Sequence, residues 1–247
     1  MAFGAAFQNE RPIEGAVATL GVSDRVTFLR KAYSLLGVSL LIWAGATAAF
    51  FRYATETSWR FSKWALNGQL NWLLVIGLLM VSGMVAQWLA RSNTSRTVQL
   101  LGLGVEVAAW TFLMQPLLWV LFIKFKAAGA QSILAQGTVA TLVIFTGLTA
   151  TVFITKKDFS FLRGVITVGM FAAMGIIIAS MLFGFTLGLV FTGALIALLA
   201  LKILYDTSLM LNYFPPSHYV SAALMLFGTV ATLFWNIIIF LMKLRSE

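Results

Sequence analysis

Three ionisable side chains, Glu106, Lys202 and Asp206, lie inside long apolar stretches of this sequence, and any chemistry would start from them. A charge placed in hydrocarbon costs about 2.5 to 3.5 kcal/mol on insertion scales, so such residues are paired or face water. Lys202 and Asp206 are four apart, which puts them on one face of a helix and within pairing reach. Glu106 and Lys202 lie at comparable depth in their apolar runs, so the spacing predicts a Glu106, Lys202 and Asp206 cluster that neutralises itself. The competing arrangement has Lys202 extending toward the headgroups and Asp206 capping its helix near the membrane surface.

Other chemistries lack their parts. With no cysteine, thiol catalysis, disulfides and thiolate metal sites are excluded. His218 is the only histidine and opens an apolar run, so it reads as an interfacial, helix-start residue rather than a metal ligand. Leu204-Tyr-Asp206 supplies one half of an intramembrane aspartate pair, but no Gly-x-Gly-Asp segment supplies the other. No serine motif accompanies His218 to make a hydrolase, and a retinal Schiff base at Lys202 would sit in the sixth helix rather than the last. The chain is read as a non-enzyme without cofactor or metal.

Composition says what must position these residues. The chain has 247 residues, 60% hydrophobic and 10% charged, too few polar side chains to cover a water-soluble globule. Mean hydropathy is +0.94. The formal charge of +9 is broken into short clusters between apolar runs, which suits headgroups and not nucleic acid. Crossing about 30 Å of hydrocarbon takes roughly 20 residues of helix. Seven stretches qualify, 32–51, 70–90, 98–123, 132–154, 164–183, 186–205 and 219–242, so the fold class is an all-α integral membrane protein, a seven-transmembrane helix bundle. Pro116 marks the third span for a kink or tilt, and only Gly184 and Phe185 separate the fifth and sixth.

Residues 1–31 mix charges with single apolar residues and lack the order of a signal peptide. They read as a retained, partly flexible cytoplasmic arm ahead of a membrane domain over 32–247. Ser180, Gly184 and Gly188 recur four apart, either to let two spans pack closely or simply as turn glycines. The aromatic and basic segment 56–64 suits the membrane interface, with Trp59, Trp64, Trp72, Trp119 and Trp235 belting one face. The side shared with the N-terminus carries nine lysines and arginines against seven opposite, which favours a cytoplasmic N-terminus.

Two segments resemble the Bax inhibitor family of transmembrane proteins, and its bacterial members in particular. One is Thr-Lys-Lys-Asp-Phe-Ser-Phe-Leu at 155–162. The other runs from Ile203-Leu-Tyr-Asp-Thr207 through His218-Tyr-Val-Ser-Ala-Ala-Leu224 to Leu233-Phe-Trp-Asn236, and Phe-Leu-Arg-Lys-Ala-Tyr at 28–33 adds to it. The resemblance implies six helices around a central one and a pH-sensitive calcium leak. Its sensor is a pair of aspartates on the last two helices, with an arginine near the end of the second helix as a latch. Asp206 stands at the first aspartate, Thr229 at the second, and Arg91 matches the arginine. Two neighbouring carboxylates share a proton and titrate together, whereas one carboxylate beside a hydroxyl has no such coupling. Two functions follow from the resemblance. One is a calcium-leak or ion-homeostasis protein with altered pH sensing, its pathway lined by Asp206, Glu106, Thr229 and Arg91. The other is a non-transporting partner, either a regulator of a membrane-bound ATP-dependent protease or an accessory subunit of a larger complex. The expected partners are the lipid bilayer, calcium ion or such a protein, and the expected location is the inner membrane.

Overall fold

The computed structural model describes residues 15–19, 21–90, 95–155 and 157–246. Seven helical runs follow one another: α1 (Val22–Tyr53), α2 (Thr55–Leu66), α3 (Gln69–Ala90), α4 (Arg96–Thr155), α5 (Leu162–Phe183), α6 (Leu189–Tyr213) and α7 (Tyr219–Leu244). No strand occurs among the described residues. In hydrocarbon only a helix satisfies its own backbone polar groups, and these sequences offer the side chains to match. Six of the runs are long and apolar enough to cross a membrane.

One of the six supplies two crossings. A straight helix of 60 residues would be roughly 90 Å long, three times the hydrocarbon thickness. The run breaks at Lys126, whose backbone lies at φ 57° and ψ −179°, leaving limbs 96–125 and 127–155. These match the third and fourth predicted spans, so the protein is an all-α, multi-pass bundle with seven crossings. Pro116 sits inside the first limb without non-helical backbone angles; the break comes ten residues later, at the polar Lys-Phe-Lys turn.

The sixth span differs from expectation at both ends. It begins at Leu189 and continues to Tyr213, eight residues past the predicted end. Pro215 and Pro216 stop it, since the residue before a proline is pushed out of helical conformation. Asp206 therefore lies well inside α6 and not at a cap. The turn from α5 is made by residues 184–188, with Gly184 at φ 74° capping α5. A Cβ at Gly184 or Gly188 would touch nothing within 4 Å, so these are turn glycines and not a packing seam.

Close helix contact occurs elsewhere. A Cβ on Gly102 would fall 2.6 Å from the Ala86 carbonyl oxygen, which brings α3 against the first limb of α4 through Ala86, Ala90 and Gly102. A Cβ on Gly137 would collide with Ile238 of α7. Small residues at these crossings let backbones approach where there is no water to expel.

Helix α7 is the central element: half of its apolar window is buried, against 11% for α5, which packs chiefly on α6 and turns its other faces outward. The core stripe of α1 is Phe28, Ala32, Leu36, Ser39, Trp43 and Thr47, a three-and-four spacing that places one face against the bundle. Trp43 meets Trp110, Phe227 and Phe234 edge-on, with ring centroids 5.7 to 6.2 Å apart. At one end of the bundle α2 brings Trp59 to 4.8 Å from Trp119, and Trp72 stacks on Trp235 at 6.2 Å. Helix α1 starts at Val22, so part of the segment read as an arm continues the first membrane helix. Val17 is buried and its amide donates to the Phe214 carbonyl at 3.1 Å, tying this segment to the end of α6.

Candidate functional site

Residues four apart on α6 bring Lys202 and Asp206 together, and the crossing of α6 with α7 adds Thr229. Lys202 Nζ donates to Asp206 Oδ2 at 2.5 Å and to Thr229 Oγ1 at 2.7 Å. The Thr229 hydroxyl in turn donates to Asp206 Oδ2 at 2.6 Å. Each partner has one consistent role: the ammonium donates twice, the hydroxyl accepts once and donates once, and the carboxylate only accepts. The carboxylate is 2% exposed and the lysine side chain 26% exposed. Burial strengthens the attraction within this triangle and raises the cost of removing any one member.

Glu106 is also buried but stands apart. The described residues contain two ion pairs, Arg60 with Glu56 and Lys202 with Asp206, and Glu106 belongs to neither. Its Oε1 accepts from Trp110 Nε1 at 3.0 Å, one turn along α4. Its Oε2 is buried and has no hydrogen-bond partner among the described residues. Glu106 and Lys202 line one cavity of about 300 Å³, together with Gln87, Gly83, Thr229 and Thr232. The expected three-member cluster thus divides into a closed triangle and a lone carboxyl facing the same space.

Arg91 lies outside the described residues. His218 precedes α7 as the last residue of a single 3-10 turn. Among the described residues no group of three or more histidine, aspartate or glutamate side chains could hold a metal ion. The triangle joins one ammonium, one hydroxyl and one carboxylate, an arrangement that neutralises its own charge.

Residues 25–246 match the family described as Inhibitor of apoptosis-promoting Bax1. The chain belongs to the Bax inhibitor family. Over 98% of its length it is 25% identical to Bax inhibitor 1 of Schizosaccharomyces pombe, covering 84% of that protein. An uncharacterized protein of Pseudomonas aeruginosa is 31% identical over 108 residues, 43% of this chain and 48% of that one, so the match spans about half the length of this relative. No solved structure matches the chain.

Two polar anchors were not foreseen. Asp158, in the Bax-inhibitor-like segment 155–162, accepts from Ser208 Oγ at 2.8 Å, from its own loop at Ser160 N, 2.9 Å, and from Ser160 Oγ, 2.6 Å. Phe159 N also donates to Ser208 Oγ, at 2.9 Å, so this loop is pinned to α6 rather than simply solvated. Gln115 is fully buried: Ser58 Oγ donates to its Oε1 at 2.8 Å, and its Nε2 donates to the Thr111 carbonyl at 2.9 Å. A glutamine in the middle of an apolar run was the available signal, because an amide there must find partners.

Proposed function

We propose that this is a Bax inhibitor-like membrane protein whose acidic site on the last two helices is closed by its own lysine, and which acts through protein contacts in the membrane instead of gating calcium. The observation that supports this is the Lys202 ammonium lying on both Asp206 and Thr229. A tethered cation occupies the place where an exchangeable proton or metal ion would bind a carboxylate pair. Its effective concentration there is fixed by the chain, so a free cation competes poorly. With Thr229 in place of a second carboxylate, the proton sharing that sets a pair titrating near neutral pH has no counterpart. On this reading the partner is a membrane protein, either a membrane-bound ATP-dependent protease that it regulates or a larger complex in which it is an accessory subunit. Its location is the inner membrane, with the N-terminus in the cytoplasm.

The second reading, a calcium-leak or ion-homeostasis protein, is favoured by the cavity beside Lys202, through which the lysine is reached. Calcium flux into proteoliposomes at pH 6 to 8 separates the two. No flux in the wild type, and none in Asp206→Asn, is expected for the closed site. A wild-type flux that Asp206→Asn abolishes would overturn it and establish the leak. Co-purification from mild detergent then identifies the partner.

A further inference from the structure

The triangle leaves Glu106 unexplained. This carboxyl is 8% exposed, one oxygen is held by Trp110, and the other is buried against the cavity with no donor among the described residues. Helix α3 contributes Gly83 and the neutral Gln87, and α5 contributes Met170. Helix α6 contributes Lys202, already committed to Asp206, while α7 contributes Gly228, Thr229 and Thr232. A Cβ on Gly83 or Gly228 would meet a carboxylate oxygen at 3.6 Å, so the two glycines leave the carboxyl's flanks uncovered by side chains. A carboxylate oxygen with no donor to meet it in apolar surroundings is costly unless something positive binds it.

We propose that Glu106 is a separate monovalent-cation site, occupied by an exchangeable proton on Oε2 and reached through the cavity between α3, α6 and α7. A divalent ion is disfavoured, because one carboxylate and neutral groups make a poor oxygen cage for calcium or magnesium and no acidic cluster is present among the described residues. A proton needs only the one oxygen, turns Oε2 into a donor toward the cavity and removes the uncompensated charge. The assignment goes beyond the closed-site reading and does not depend on it, since it concerns a carboxyl outside the triangle.

The test is labelling of the full chain in detergent by dicyclohexylcarbodiimide, read by intact mass and peptide mapping. A protonated carboxyl transfers its proton to a carbodiimide nitrogen and its oxygen bonds to the central carbon. The acyl group then migrates from oxygen to nitrogen, so an N-acylurea forms with the reagent's whole mass added and nothing leaving. One label on Glu106 is expected, at a rate that falls as pH rises, retained in Asp206→Asn and lost in Glu106→Gln. Mapping the wild-type peptide keeps the test valid if a variant misfolds. Labelling equal in sodium chloride and choline chloride supports the proton; protection by sodium would overturn it in favour of a metal cation. No label on Glu106, a label on Asp206 instead, or a rate indifferent to pH would overturn the site.

Discussion

Replacing Lys202 by methionine removes the only cation that pairs with Asp206 among the described residues, while keeping most of the side-chain volume. Asp206 is 2% exposed and cannot turn to water without moving α6 against α7. Breaking a buried pair by deleting one partner costs about 3 to 5 kcal/mol. The residual bond from the Thr229 hydroxyl, 2.6 Å from Oδ2, recovers part of that, since hydrogen bonds to charged groups are worth roughly 1.5 to 3 kcal/mol. The midpoints of the two ranges leave a net loss of about 2 kcal/mol. At roughly 2 to 4 °C per kcal/mol for a chain of this size, melting in detergent should fall by about 4 to 8 °C. The double variant Lys202→Met/Asp206→Asn removes the stranded charge and should recover most of the loss, because a buried pair can often be exchanged for uncharged groups at little cost. If Lys202→Met melts with the wild type, the ammonium is not holding Asp206. If single and double variants melt alike, the loss comes from packing and the charge argument fails.

Two further expectations rest on packing and anchoring. Gly102→Ala drives a methyl against the Ala86 carbonyl at 2.6 Å, where backbone and not a flexible side chain must yield, so a loss of about 1 to 3 kcal/mol is expected; unchanged melting would show that α3 and α4 are less tightly apposed. Asp158→Ala removes the acceptor that holds the 157–161 loop to Ser208, and should speed limited proteolysis there with little change in global melting; equal cleavage rates would refute the anchor.

How far the sequence carried depended on which physical quantity set each feature. Span number and position were legible because the hydrocarbon thickness imposes a length, and an apolar run either meets it or does not. The end of α6 was misplaced because the run of apolar residues fades at Tyr205 and Asp206, whereas the backbone continues until Pro215 forbids it. Hydrophobicity marked the end of the apolar run, and proline marked the end of the helix. Lys202 with Asp206 was legible from a spacing of four within one helix. The position of Glu106 relative to them was not, because it depends on the rotation of α4 against α6 and α7, which no local spacing encodes. Gly102 and Gly137 were passed over for the same reason: a glycine matters at a crossing, and crossings are set by tertiary packing.

The triangle is built from two helices that adjoin in sequence, and its charges cancel locally, so its bonds are made by α6 and α7 alone. Glu106 depends on α3, the first limb of α4 and α7 together, with Gly83 on one side and Gly228 on the other. A displacement of α3 would therefore change what reaches its free oxygen without disturbing Lys202 and Asp206. Stability should accordingly follow the paired charges on α6, and whatever response the protein makes to its surroundings should follow the single unpaired carboxyl on α4.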